Sequence, residues 1–140
     1  MAAELNRKSL VDKYHKLPEP VRIAGTAAIG LVIALITYEI IFVLNPFEPR
    51  AAISWLVAFS IGVARQHALH RWLTFTQHVA YWPSLGRAYV MDSGAAIIST
   101  GLNWMLTEIW GINHRLAWLI CMTMVAVLNY VLLKRYVFRA

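Results

Sequence analysis

Polar and apolar residues along this chain come in long blocks, not with the short alternation of a soluble helix or strand. Ile23 to Leu44 is apolar apart from Glu39, and the Asn45-Pro46-Phe47-Glu48-Pro49 that follows is a tight-turn signal. A second block runs from Ala51 to Leu69, although Arg65, Gln66 and His67 make its last turn polar and end its purely hydrocarbon part at Ala64. The third spans Ala88 to Ile109 with Asp92 and Glu108 near its two ends, and the fourth spans Leu116 to Leu133 without a charge. At 1.5 Å rise per residue, about 20 residues cross a hydrocarbon layer of about 30 Å. The pattern therefore predicts an all-α polytopic membrane protein, with transmembrane helices over 23–44, 51–69, 88–109 and 116–133 in one domain of residues 22–139.

The first 21 residues are polar throughout and lack the apolar core and small-residue cleavage site of a signal peptide, so they are expected to stay on the chain as a cytoplasmic segment. An amphipathic surface helix is expected there, with Leu5, Leu10, Val11 and Leu17 apolar and Arg7, Lys8, Lys13 and Lys16 basic, ended by Pro18 and Pro20. Composition agrees with the block pattern: 59% of residues are hydrophobic and only 14% charged, far from a soluble domain. Four spans leave no room for a separate soluble catalytic domain. The single cysteine, Cys121, lies inside an apolar run, which excludes an intrachain disulfide and a cysteine-based zinc site.

The net charge of +6 reads as membrane topology and not as a nucleic-acid surface, because the basic residues flank apolar runs. Of the 13 Lys and Arg residues, Arg7, Lys8, Lys13, Lys16, Arg22, Arg65, Arg71, Arg87, Lys134, Arg135 and Arg139 fall on one side; Arg50 and Arg115 fall on the other. Eleven against two places both termini and the central loop in the cytoplasm. Interfacial anchoring is then expected of Trp55, Trp110 and Trp118 near the outer boundary and of Trp72 and Trp82 near the inner one, with Trp104 deeper and packed.

One short signature occurs twice. His70 to Phe75 (HRWLTF) and Leu133 to Phe138 (LKRYVF) each place a cation four residues before a phenylalanine, on one helix face. Aligning Phe75 with Phe138 also pairs Arg71 with Lys134, Leu69 with Leu132 and Gln66 with Asn129, while Arg22 and Arg87 take matching entry positions. The spacing suggests two parallel-repeat helical hairpins.

These segments, QHALHRWLTF and NYVLLKRYVF, together with four spans in roughly 130 residues and an arginine before the first and third, resemble the GtrA-like family over about residues 20–139. In that family the second and fourth spans close with an Asn-Phe pair, a basic residue and a stretch ending in Phe. Asn129, Tyr130, Lys134, Arg135, Tyr136 and Phe138 fit this in the second half; in the first, Gln66 and His67 replace the Asn-Phe pair, while Arg71 and Phe75 fit. The resemblance implies movement of a polyprenyl-phosphate-linked monosaccharide from the cytoplasmic to the outer leaflet of the plasma membrane for cell-surface polysaccharide synthesis. It also implies a separate polyprenyl-phosphate glycosyltransferase as partner.

Such a task needs cations at headgroup level, and Arg65, Arg71, Lys134 and Arg135 stand there as phosphate-binding candidates or as plain interfacial anchors. Arg65 lies six residues, about 9 Å, deeper than Arg71. Gln66 and Asn129 are placed to bond sugar hydroxyls or to join neighbouring helices, and Asp92 is expected to pair with Arg65 or Arg87. Glu39 is the candidate for proton titration, or a carboxylate facing the outer boundary. His67 and His70 share a face but have no carboxylate or cysteine beside them, so no metal is expected, and no other cofactor. Without a phosphate-cradling glycine loop or a nucleophile with its base, the chain does not read as an enzyme. Four spans form a thin wall around a lipid-linked sugar, so a homo-oligomer is expected. A small proton-coupled multidrug exporter and a non-transporting scaffold for the glycosyltransferase are the alternatives.

Overall fold

A computed structural model describes residues 2–74 and 80–136, and among them every regular element is helical. Helix α1 is Ala2–His15, α2 is Glu19–Leu44, α3 is Arg50–Leu69, α4 is Tyr81–Trp104 and α5 is His114–Tyr136. Two of them end in a π-helical turn, His70–Thr74 after α3 and Met105–Ile109 after α4. Gly111, at φ 65°, stops the second of these in the left-handed conformation that glycine adopts without a Cβ penalty.

Pro18 and Pro20 open a helix instead of ending one. The first helix has already stopped at His15, while Pro18 is the N-cap of α2 and Pro20 sits in its first turn, where the missing N–H has no partner to lose. Among the described residues α2 is the helix both long and apolar enough to cross a membrane by length and composition; α5 adds a shorter apolar stretch over His114–Asn129. The polar residues Arg65, Gln66, His67 and Asp92 interrupt α3 and α4. Large apolar side chains nevertheless point outward on every long helix, among them Val32, Val43, Leu56, Val90, Ile97 and Val127. Soluble proteins do not leave apolar surface of this extent bare.

The core lies in the half of the bundle nearer Asn45, where Tyr38, Trp55, Leu106, Trp118, Cys121 and Val125 are buried together. This corrects the tryptophan assignments. Trp55 and Trp118 are 2% and 5% exposed and are core residues, not interfacial anchors, whereas Trp104, expected to pack, is 46% exposed. The reason is local: Trp55 turns inward because its Nε1–H donates to Ser99 Oγ at 2.9 Å, so that the indole is satisfied inside the bundle. Trp72, Trp82 and Trp110 are exposed, as an anchor must be.

The turn after α2 is fixed by two side chains. Asn45 Nδ2 donates to the Arg50 carbonyl at 3.2 Å and to Ser54 Oγ at 3.0 Å, and its Oδ1 accepts from Phe47 N–H. Arg50 reaches back to the otherwise unpaired carbonyls of Phe42 and Val43, at 2.7 and 2.8 Å, placing a cation on the negative end of α2. The beginning of α5 is clasped to the same place. His114 stacks on Phe42 with ring centroids 3.7 Å apart and its Nδ1 lies 3.4 Å from the Tyr38 hydroxyl, while Arg115 bonds both Glu39 oxygens at 2.8 and 3.2 Å.

His114 makes this clasp sensitive to acid. Burial holds its imidazole below the ordinary value of 6.5, with Glu39 opposing the shift and Arg115 and Arg50 adding to it. The unfolded chain therefore takes up the proton first as pH falls. The neutral ring's contribution is complete above pH 6.5 and is lost as pH drops through the folded-state value. The melting temperature of the solubilised protein is expected to fall below pH 6.5, and His114→Phe, which keeps the stack, to flatten that fall. An acid profile unchanged in His114→Phe would assign it to another group.

At the opposite end α1 is tied to the bundle. The Tyr14 hydroxyl donates to the Arg22 carbonyl at 2.6 Å and lies 3.0 Å from Thr26 Oγ1. Gly25 permits that approach, since a Cβ there would sit 2.7 Å from the same hydroxyl. His15 Nε2 is 3.1 Å from the Trp72 carbonyl in the π-turn of α3. Leu10 and Leu17, expected on an apolar face, remain exposed.

Candidate ligand cavity between the helices

Between α2, α3, α4 and α5 lies a cavity of about 230 Å³. Helix α2 presents to it only small or aliphatic side chains, including Ala27, Gly30 and Ala34, which hold the backbone close and leave room. Aromatic and aliphatic groups from α3 and α5, Trp55, Phe59, Trp118 and Val125, make its apolar floor. Its polar lining is Arg65 and Gln66 from α3, Asp92 from α4 and Asn129 from α5.

Arg65 sets the electrostatics of this space. Its Nε and Nη1 are buried and have no hydrogen-bond partner. A guanidinium keeps its charge and offers donors in a fixed fork suited to carboxylate or phosphate. Leaving such donors unmet in a buried place costs about 1–3 kcal/mol per group, which a bound anion would return. Asp92 faces the same cavity, half-buried, yet the expected ion pair with Arg65 or Arg87 is absent: Asp92 pairs with no described residue, and Arg87 Nε donates to the Pro83 carbonyl at 3.4 Å. Cation and carboxylate thus line one space without closing it. A second cavity of about 250 Å³, between α3 and α4, shares Phe59, Val63 and Asp92 with the first.

Gln66 is held by its neighbours. Its amide N–H donates to His70 Nε2 at 2.9 Å, and its Oε1 occupies the space that a Cβ on Gly30 would need. Asn129, at the position equivalent to Gln66 in the proposed repeat, is exposed and lines the same cavity from α5.

The remaining candidates lie elsewhere. The Arg71 guanidinium sits 5.5 Å over the ring of Tyr81 in α4, and Arg71 is not among the residues that line the cavity. His67 reinforces the same α3–α4 junction through Ser84 Oγ at 3.0 Å and the Tyr81 ring. Because the Ser84 hydroxyl donates to the Tyr81 carbonyl, His67 Nε2 carries the proton in that bond. Glu39 is bound by Arg115 at the far end. Phe75 and Phe138 lie outside the described residues, as do the side chains of Tyr130, Lys134, Arg135 and Tyr136. Gly30, Phe59 and Trp118 are cavity residues that sequence reasoning missed. Gly30 carried a signal: with Gly25 it forms a small-residue stretch inside an otherwise bulky span, a mark of close helix approach.

An outward apolar surface on a helical bundle defines a membrane protein, and among the described residues the cavity between its helices is lined by a guanidinium, that of Arg65, with two buried donors that have no partner. Its family is explicit: residues 27–138 match the family model described as GtrA/DPMS, transmembrane domain, and the chain belongs to that family. No curated protein and no solved structure matches it. The matched segment contains all the cavity residues named above.

Proposed function

We propose that the protein moves a polyprenyl-phosphate-linked monosaccharide, alone or as a flippase subunit, from the cytoplasmic to the outer leaflet of the plasma (inner) membrane for cell-surface polysaccharide synthesis. Membership of the GtrA/DPMS transmembrane family supports the setting. The observation that carries the reading is the cavity itself, where Arg65 holds two unpartnered donors beside Gln66, Asp92 and Asn129. The phosphate docks on Arg65, the sugar hydroxyls exchange water for Gln66, Asn129 and Asp92, and an apolar ring of the floor covers the sugar's less polar face.

In this reading the chain spans the bilayer four times as two parallel hairpins with both termini in the cytoplasm. Arg71, Lys134 and Arg135 form the cytoplasmic entrance that gathers the phosphate at headgroup level. The protein performs no covalent step. A polyprenyl-phosphate glycosyltransferase supplies the lipid-linked sugar, and a homo-oligomer thickens the wall around it. Reconstitution into liposomes with a labelled polyprenyl-phosphate sugar tests the proposal: exchange between leaflets faster than in empty liposomes is expected. No acceleration with any of several sugars would overturn it.

A further inference from the structure

Asp92 can meet a sugar hydroxyl in the reading above, but its negative charge is not something that the movement of an anion explains. A phosphate drawn to Arg65 must share a space of about 230 Å³ with this carboxylate. Two like charges in one half-buried site are mutually unfavourable, and protonating the carboxylate relieves the conflict. The surroundings offer no other relief. Helix α2 contributes no titratable group to the cavity, α5 contributes the neutral Asn129, and α3 contributes Arg65, which the incoming phosphate engages. On its own helix Asp92 has Tyr89 one turn away, whose hydroxyl is already donated to the Ser60 carbonyl at 2.6 Å. His70 bonds the cavity-lining Gln66 and is not itself among the residues that line the cavity. Glu39, the acid that the sequence singles out for titration, is engaged at both oxygens by Arg115.

We infer that Asp92 is a proton-binding site linked to the anion site, so that a phosphate entering beside Arg65 brings one proton from the medium onto the Asp92 carboxylate. The inference rests on the reading of the cavity as a phosphate site. The step is balanced: the carboxylate gains H⁺, the phosphodiester keeps its single negative charge, and the loaded cavity carries one positive and one negative charge. Linkage fixes the sign. Where free Asp92 is ionised and the loaded form protonated, affinity for the anion falls up to tenfold for each pH unit raised, and bound anion favours protonation by the same factor. A carrier of this kind responds to the pH on either side of the membrane without an ATP site.

The test uses the full chain in nanodiscs and farnesyl methyl phosphate as ligand, a phosphodiester without the ionisation near pH 6 that would confuse a phosphate monoester. Affinity is measured from pH 5.5 to 8.5, and calorimetry in buffers of different ionisation enthalpy counts protons taken up. The wild-type protein is expected to bind more weakly as pH rises, with uptake approaching one proton. Asp92→Asn, an uncharged near-isostere, is expected to bind without proton uptake and at least as tightly as wild type at pH 8.5. Binding that does not vary with pH in the wild type overturns the inference and leaves the phosphate site standing. So does a slope that survives in Asp92→Asn, or one abolished by Glu39→Gln instead. Absence of binding at every pH removes the phosphate site and the linkage together.

Discussion

Replacing Arg65 with Met is expected to abolish function and yet to leave a better-packed protein. Removing one member of a desolvated, hydrogen-bonded charge pair costs about 2–5 kcal/mol of binding, or about 30-fold and upward in affinity. Arg65 is the cation that lines the described part of the cavity, so exchange of a polyprenyl-phosphate sugar between leaflets should drop at least that far. In the empty protein the sign reverses. Nε and Nη1 have no partner to lose, and exchanging an unsatisfied polar group for an aliphatic chain of similar length should raise stability by about 1 kcal/mol. Arg65→Lys keeps the charge without the planar fork and should retain part of the exchange. Thermal melts beside liposome assays read both quantities. Lost exchange with lowered stability would mean that Arg65 holds the bundle together, and unchanged exchange would remove it from the site.

The second large effect is expected at Gly30, through a clash that a second substitution relieves. A methyl group at this position would occupy the space of the Gln66 side-chain amide, so Gly30→Ala must push Gln66 away from His70 and into the cavity. The atoms met are the far end of a flexible side chain, so Gly30→Ala costs chiefly the Gln66–His70 hydrogen bond, about 0.5–1.5 kcal/mol, and Gly30→Val, with two further methyls, should cost more and narrow the cavity enough to stop exchange. Gln66→Ala vacates the contested space. The double variant Gly30→Ala with Gln66→Ala should therefore be more stable than Gly30→Ala alone, the non-additivity expected of two residues in contact. Simple additivity in a double-mutant cycle would show that the glycine is needed for some other reason.

The helical class could be read from the blocks of apolar residues, and the long helices lie over those blocks; among the described residues α2 is the one both long and apolar enough to cross a membrane. Family membership was legible from two ten-residue motifs. The cavity was legible in part. Arg65, Gln66, Asp92 and Asn129 stood out as polar residues inside apolar runs, and all four line it. Block hydropathy could not tell which way an individual side chain faces. Trp55 and Trp118 were misplaced for that reason: a tryptophan near a span end satisfies its N–H either at an interface or on an inner hydroxyl, and Ser99 is 44 residues distant in sequence. A π-turn occupies His70–Thr74, where the rotation per residue differs from that of an α-helix, and the apolar blocks carry no signal for it. Asp92 was assigned a cationic partner on the grounds of proximity, and only the packed helices reveal the space kept between them.

The tie between α1 and the bundle has a mechanical consequence. Tyr14 grips α2 one helical turn before Gly30, and His15 reaches the end of α3 six residues beyond Gln66. The short helix thus straddles the two elements whose Gly30–Gln66 contact forms one wall of the cavity. If that wall parts to admit a head group, α1 must tilt with one helix or let go of the other. Its bonds through Tyr14 and His15 therefore act as a brace against separation of α2 from the end of α3.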